Sequence, residues 1–137
     1  MAPSAEERCV PVKTDLDIVS ARVEGRNLAR ELGFGTIDQA RIATAISELA
    51  RNVVLYAPEG KVTVRAVVSD DGGRGIEVVC EDNGPGIANV ALVMQDGYST
   101  SSGLGMGLPG TKRLMDEFEI ETKLGVGTRV TVRKWLK

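Results

Sequence analysis

Histidine is absent from this 137-residue sequence. That one absence excludes Ser-His-Asp triads, Cys-His nucleophile pairs, histidine metal sites and a phosphohistidine acceptor. Cysteine is scarce. Cys9 and Cys80 form no CxxC pair, and each lies in a strand-like run, so both read as buried free thiols of a reducing compartment. No apolar run is long enough for a signal peptide or a membrane span, which predicts a cytoplasmic protein with no membrane partner. Neither charge sign dominates. The net charge is −2 with lysine and arginine scattered, so no nucleic-acid footprint is visible. What remains is 42% apolar and 26% charged, the balance of a folded soluble domain rather than a disordered chain. The length suits one domain with one core and is too short for two.

The most informative stretch is Asp82-Asn83-Gly84-Pro85-Gly86 at the end of a strand, Gly75–Asp82. At period two, Ile76, Val78, Cys80 and Asp82 share one face. A carboxylate on a core-facing row is costly unless donors reach it. Glycines beside it allow close approach to the backbone. The arrangement implies a pocket with a buried acceptor; the alternative is a capping aspartate before an ordinary turn.

In chain order, residues 1–8 are polar and expected to be frayed. Cys9–Lys13 reads as an edge strand because of Pro11. Thr14 and Asp17 make a weak capping box for a helix whose stripe is Ile18, Ala21, Gly25, Leu28 and Leu32. Gly25 on that stripe implies close packing. Thr36 and Gln39 form a second capping box before a helix to about Ala57. There Glu48 and Asn52, four apart, share a face at the border of the apolar row Ile42, Ile46, Leu49 and Val53. They read either as a solvated pair or as a functional one. Lys61–Ser69 alternates, and Asp70–Gly75 is a hairpin loop, so the two flanking strands should pair antiparallel. The pattern weakens over 87–102, a length that in a compact domain suggests a lid. Gly103-Leu104-Gly105-Met106-Gly107-Leu108-Pro109-Gly110 then feeds a helix carrying Thr111, Leu114, Met115 and Phe118, a favourable setting for phosphate. Glu119–Leu124 and Thr128–Trp135 are strands joined by Gly125-Val126-Gly127, and Thr128 repeats the oddity of Asp82: a polar group ending an apolar row.

Single motifs mislead here. Gly105, Gly107 and Gly110 match GxGxxG, yet no strand precedes them. Gly105–Lys112 misses the Walker pattern, and the protein-kinase HRD and DFG elements are lacking. The order of four elements is specific: Glu48-x-x-x-Asn52, Asp82-x-Gly84-x-Gly86, Gly103-x-Gly105-x-Gly107 and Gly125-x-Gly127-Thr128. This order resembles the GHKL (Bergerat) ATP-binding superfamily. The stretches Glu31–Thr36, Ser47–Asn52, Asp96–Thr100, Gly105–Gly110 and Lys112–Phe118 are similar to the RsbT-type switch kinases. The resemblance runs from about Val12 to the end.

The resemblance implies a two-layer α/β sandwich, with a mixed, mostly antiparallel sheet and about three helices on one face. It implies ATP and Mg²⁺ as cofactors. Asp82 would accept the adenine amino hydrogens, helped by Thr128. Gly84, Gly86, Gly103, Leu104, Gly105 and Gly107 would line the nucleotide, Asn52 would ligate Mg²⁺, and Glu48 would be the general base. The implied activity is serine/threonine phosphorylation of STAS-domain stressosome proteins of the RsbS and RsbR type, followed by binding of a regulator such as an RsbU-type phosphatase. The alternative is a non-catalytic, nucleotide-dependent module that sequesters a sigma factor or phosphatase.

Overall fold

A computed structural model describes residues 7–87, 94 and 107–137. Strand β1 (Glu7–Val12) leads into helix α1 (Asp15–Leu32) and helix α2 (Thr36–Tyr56). Strands β2 (Gly60–Val68) and β3 (Arg74–Asp82) follow, then helix α3 (Gly107–Leu114) and strands β4 (Glu117–Lys123) and β5 (Gly127–Trp135). The sheet order is β1-β2-β3-β5-β4. Every pairing among the described residues is antiparallel, so the sheet is mostly antiparallel as expected but not mixed there.

The helices cover one face of the sheet. Val62 and Val64 of β2, Ile76, Val78 and Cys80 of β3, and Val130 and Val132 of β5 meet Leu28, Ile42, Ile46, Leu49 and Val53 in one buried cluster. Burying such side chains stabilises by about 1.5–3 kcal/mol each before entropy is counted. Helices α1 and α2 pack closely at Gly25, where a methyl would run into Ile46. The opposite face of the sheet carries an ion network instead. Glu77 is buried between Arg65, at 2.6 Å, and Arg133, at 2.7 Å.

Four local expectations are corrected. Glu7 and Arg8 are not frayed but pair with Arg65 and Val64. Cys9 is exposed rather than buried, because its side chain lies on the uncovered face of the edge strand. Thr36 is the first residue of α2 and not its cap; Gly35 caps it, and the Gln39 amide donates to the Phe34 carbonyl at 2.8 Å. Phe118 belongs to β4, opposite Val132, and α3 stops at Leu114. The run Glu117-Phe118-Glu119-Ile120-Glu121 alternates with period two, and each glutamate in it is exposed. Buried Lys134 fixes the end of α3 by donating to the Leu114 carbonyl at 3.1 Å, with Asp38 and Asp116 at 3.9 and 3.8 Å.

Candidate active site

Sheet register builds the first half of the site. Asp82 pairs with Gly60 on one side and with Thr128 on the other, and Thr128 pairs with Thr122. Asp82, Thr128 and Thr122 thus form a polar row on the helix-covered face, one step beyond Cys80, Val130 and Ile120. The Cys80 thiol donates to the Leu49 carbonyl at 3.6 Å, which ties this end of β3 to α2. Burial first, then the charges of Asp82 and Glu81, push the Cys80 thiol far up, so it stays neutral and is no nucleophile.

Asp82 is half-buried, and its Oδ1 accepts the Gly84 N–H at 2.9 Å. Among the described residues nothing else donates to this carboxylate. The chain after Asp82 is stitched to the β4–β5 hairpin. Gly125 N–H donates to the Pro85 carbonyl at 2.9 Å, and Ile87 N–H donates to Thr122 Oγ1 at 2.8 Å. Gly86 lies between them at φ +80°, where a side chain would meet the backbone of Lys123 and Leu124. Gly60 is equally constrained: a methyl there would run into the Glu81 carbonyl and Val53.

Helix α2 supplies the second half. Glu48 is 13% exposed. Its Oε1 accepts the Gly107 N–H at 3.3 Å, and its Oε2 lies 3.8 Å from Arg51 Nε. Asn52 is half-buried one helical turn further on. A carboxylate and a glycine 59 residues apart in the chain therefore meet where α3 begins. Of the proposed lid at 87–102 only Ile87 and Met94 are described; the rest of it, with Gly103, Leu104 and Gly105, lies outside the described residues.

Comparison with known proteins bears directly on this geometry. The family described as histidine kinase-, DNA gyrase B-, and HSP90-like ATPase matches residues 37–137. The serine/threonine-protein kinase RsbT of Bacillus subtilis is 55% identical over 132 residues, 96% of this chain and 98% of that protein. The chain belongs to the RsbT-type serine/threonine kinases, within that ATPase family. The anti-sigma F factor of Caldanaerobacter subterraneus is more distant, at 37% identity over 74% of this chain and 73% of its own. Two solved structures share the fold at 21% identity. The RsbU and RsbW domains of a Mycobacterium tuberculosis protein align with a TM-score of 0.62 over 93% of this chain and 32% of that one. Full-length ShkA in complex with AMPPNP aligns with a TM-score of 0.58 over 94% of this chain and 31% of that one.

Membership makes this an RsbT-type kinase of the stressosome partner-switching module with an ATP-binding domain. The residues expected for that domain fall into two groups. Asp82, Gly84, Gly86 and Thr128 gather at the sheet end, while Glu48 meets Gly107 where α3 begins, with Asn52 one helical turn along α2. Sequence reading passed over Gly60, Arg51 and Thr122. Thr122 carried a usable signal, since it ends the inward row Phe118, Ile120 as Thr128 ends its own.

Proposed function

We propose that this RsbT-type kinase transfers the γ-phosphate of ATP to a serine or threonine on a separate STAS-domain protein of the stressosome, of the RsbS or RsbR type. It then engages a downstream regulator such as an RsbU-type phosphatase. In this reading Asp82 accepts the adenine amino group and Thr128 completes base recognition. Gly84 and Gly86 keep that end open, and Gly103, Leu104, Gly105 and Gly107 hold the phosphates through backbone N–H groups. Glu48 accepts the proton of the incoming hydroxyl.

The observation that carries this reading is the contact of Glu48 Oε1 with the Gly107 N–H. It supports a base next to the phosphate end of the nucleotide. A freely solvated glutamate on α2 would not need it. Glu48 also weighs against the purely sequestering alternative, which has no use for a base. Asn52 suits Mg²⁺, since its amide oxygen is a hard neutral ligand. Among the described residues no group of three His, Cys, Asp or Glu could hold a metal by itself. That fits a cation shared with phosphates, whose charge it would neutralise when bound. The same reading sets the protein in the cytoplasm, supported by two free thiols. No helix among the described residues is long and apolar enough to cross a membrane.

The test is transfer of label from γ-labelled ATP to a STAS-domain partner by the wild type and by Glu48→Gln. The variant should bind ATP normally and transfer roughly 10²–10⁴-fold more slowly. Transfer at the wild-type rate would remove Glu48 from the chemistry.

A further inference from the structure

The Thr122 hydroxyl has one proton to give and two lone pairs to offer. All three are committed. Ile87 N–H donates to it at 2.8 Å, the Gly127 carbonyl lies at 3.2 Å, and the Thr128 hydroxyl lies at 2.9 Å. An amide N–H only donates and a carbonyl only accepts. The Thr122 proton therefore points to Gly127, one lone pair takes Ile87, and the other must accept the proton of Thr128. Thr128 has then no proton left for anything beyond the sheet. It presents lone pairs only, beside the acceptor Asp82 to which it is paired in register.

We propose that Thr122 is a specificity-determining positioning residue. It fixes Thr128 as an acceptor, so that the row selects a purine bearing an amino group at C6. The proposal rests on the reading above that Asp82 and Thr128 receive the base. A 6-amino purine brings two N–H donors to two acceptors. A 6-oxo purine brings a carbonyl oxygen against them, and unpaired acceptors in a partly dry site are unfavourable. Without the Thr122 hydroxyl, Thr128 is free to turn its proton outward and donate to an oxo group. Thr122 touches no substrate in this scheme and acts only through Thr128.

The experiment measures Kd for ATP and for GTP by calorimetry on the full chain. For Thr122→Val, the preference for ATP over GTP should fall about tenfold or more, the worth of one hydrogen bond gained or lost. Thr122→Ser should keep the wild-type preference. In a Thr128→Val background, adding Thr122→Val should leave the preference unchanged. If Thr122→Val does not fold, Thr122→Cys, with its weak donor and acceptor, should shift the preference in the same direction. Equal weakening of both nucleotides, or no change in either, would overturn the proposal, because a merely structural role for Thr122 does not distinguish bases. Failure of the wild type to bind ATP would overturn the underlying site reading instead.

Discussion

Replacing Asp82 by asparagine tests base recognition with little disturbance to the fold. Among the described residues the Asp82 carboxylate accepts one hydrogen bond, from Gly84 N–H to Oδ1 at 2.9 Å. Asparagine keeps a carbonyl oxygen there, so the turn should survive and the melting temperature should stay within about 3 °C. What changes is the second position. An acceptor becomes an NH₂ group facing the adenine amino group, donor against donor. The loss of a hydrogen bond to a charged group is on the order of 1.5–3 kcal/mol. That corresponds to roughly 10- to 150-fold weaker ATP binding. Calorimetric titration with ATP, alongside a thermal melt, reads both quantities. Near wild-type affinity in a folded variant would refute the assignment of Asp82. A large drop in melting temperature would refute the claim that its role is confined to ligand binding.

Two further predictions concern stability. Gly60→Ala should destabilise the fold by about 1–3 kcal/mol and weaken ATP binding, because the colliding atoms include the Glu81 carbonyl, which cannot move without shifting Asp82. Gly25→Ala, which meets the flexible end of Ile46, should cost less and leave ATP affinity unchanged; denaturant melts of both with ATP titrations check this. Stability should also fall in acid. The Asp17 carboxyl is held below its ordinary 3.8 by the N–H groups of Lys13 and Thr14, and Glu117 is held below 4.5 by Trp135 and then Arg133. A depressed carboxyl stabilises fully above its unfolded value and loses that stabilisation as pH falls through the folded one. Melting temperatures should therefore drop below those values, and the drop should be shallower in Asp17→Asn and Glu117→Gln; parallel curves would contradict the assignment.

Much of the candidate site was legible in the sequence because its residues break local patterns. Asp82 and Thr128 each end an apolar row, a rule of period two that needs no knowledge of the partner strand. Glu48 and Asn52 share a helix face for the same local reason. Register was not legible. That Gly60 faces Asp82 and Thr122 faces Thr128 depends on long-range pairing, which local periodicity does not specify. Thr122 escaped because Phe118, which opens its inward row, also falls at helical spacing after Leu114 and Met115, so the row Phe118, Ile120, Thr122 was cut short. That spacing extends the helical pattern of α3 over Phe118. The alternating glutamates from Glu117 were the stronger signal, and the bond from Asp116 N–H to the Arg133 carbonyl at 2.9 Å shows the chain already joining the sheet. The expected box of Thr36 and Gln39 failed because Gly35 had taken the cap, leaving Gln39 to bind Phe34.

The central claim is that this chain phosphorylates a hydroxyl on another protein. It contains no histidine, so self-phosphorylation of the histidine-kinase kind is excluded. The direct measurement is incubation with Mg²⁺ and γ-labelled ATP, alone and with a STAS-domain partner, followed by acid treatment. Little label is expected in the kinase alone, and an acid-stable phosphate ester on serine or threonine of the partner. Robust self-labelling, or an acid-labile product, would contradict it.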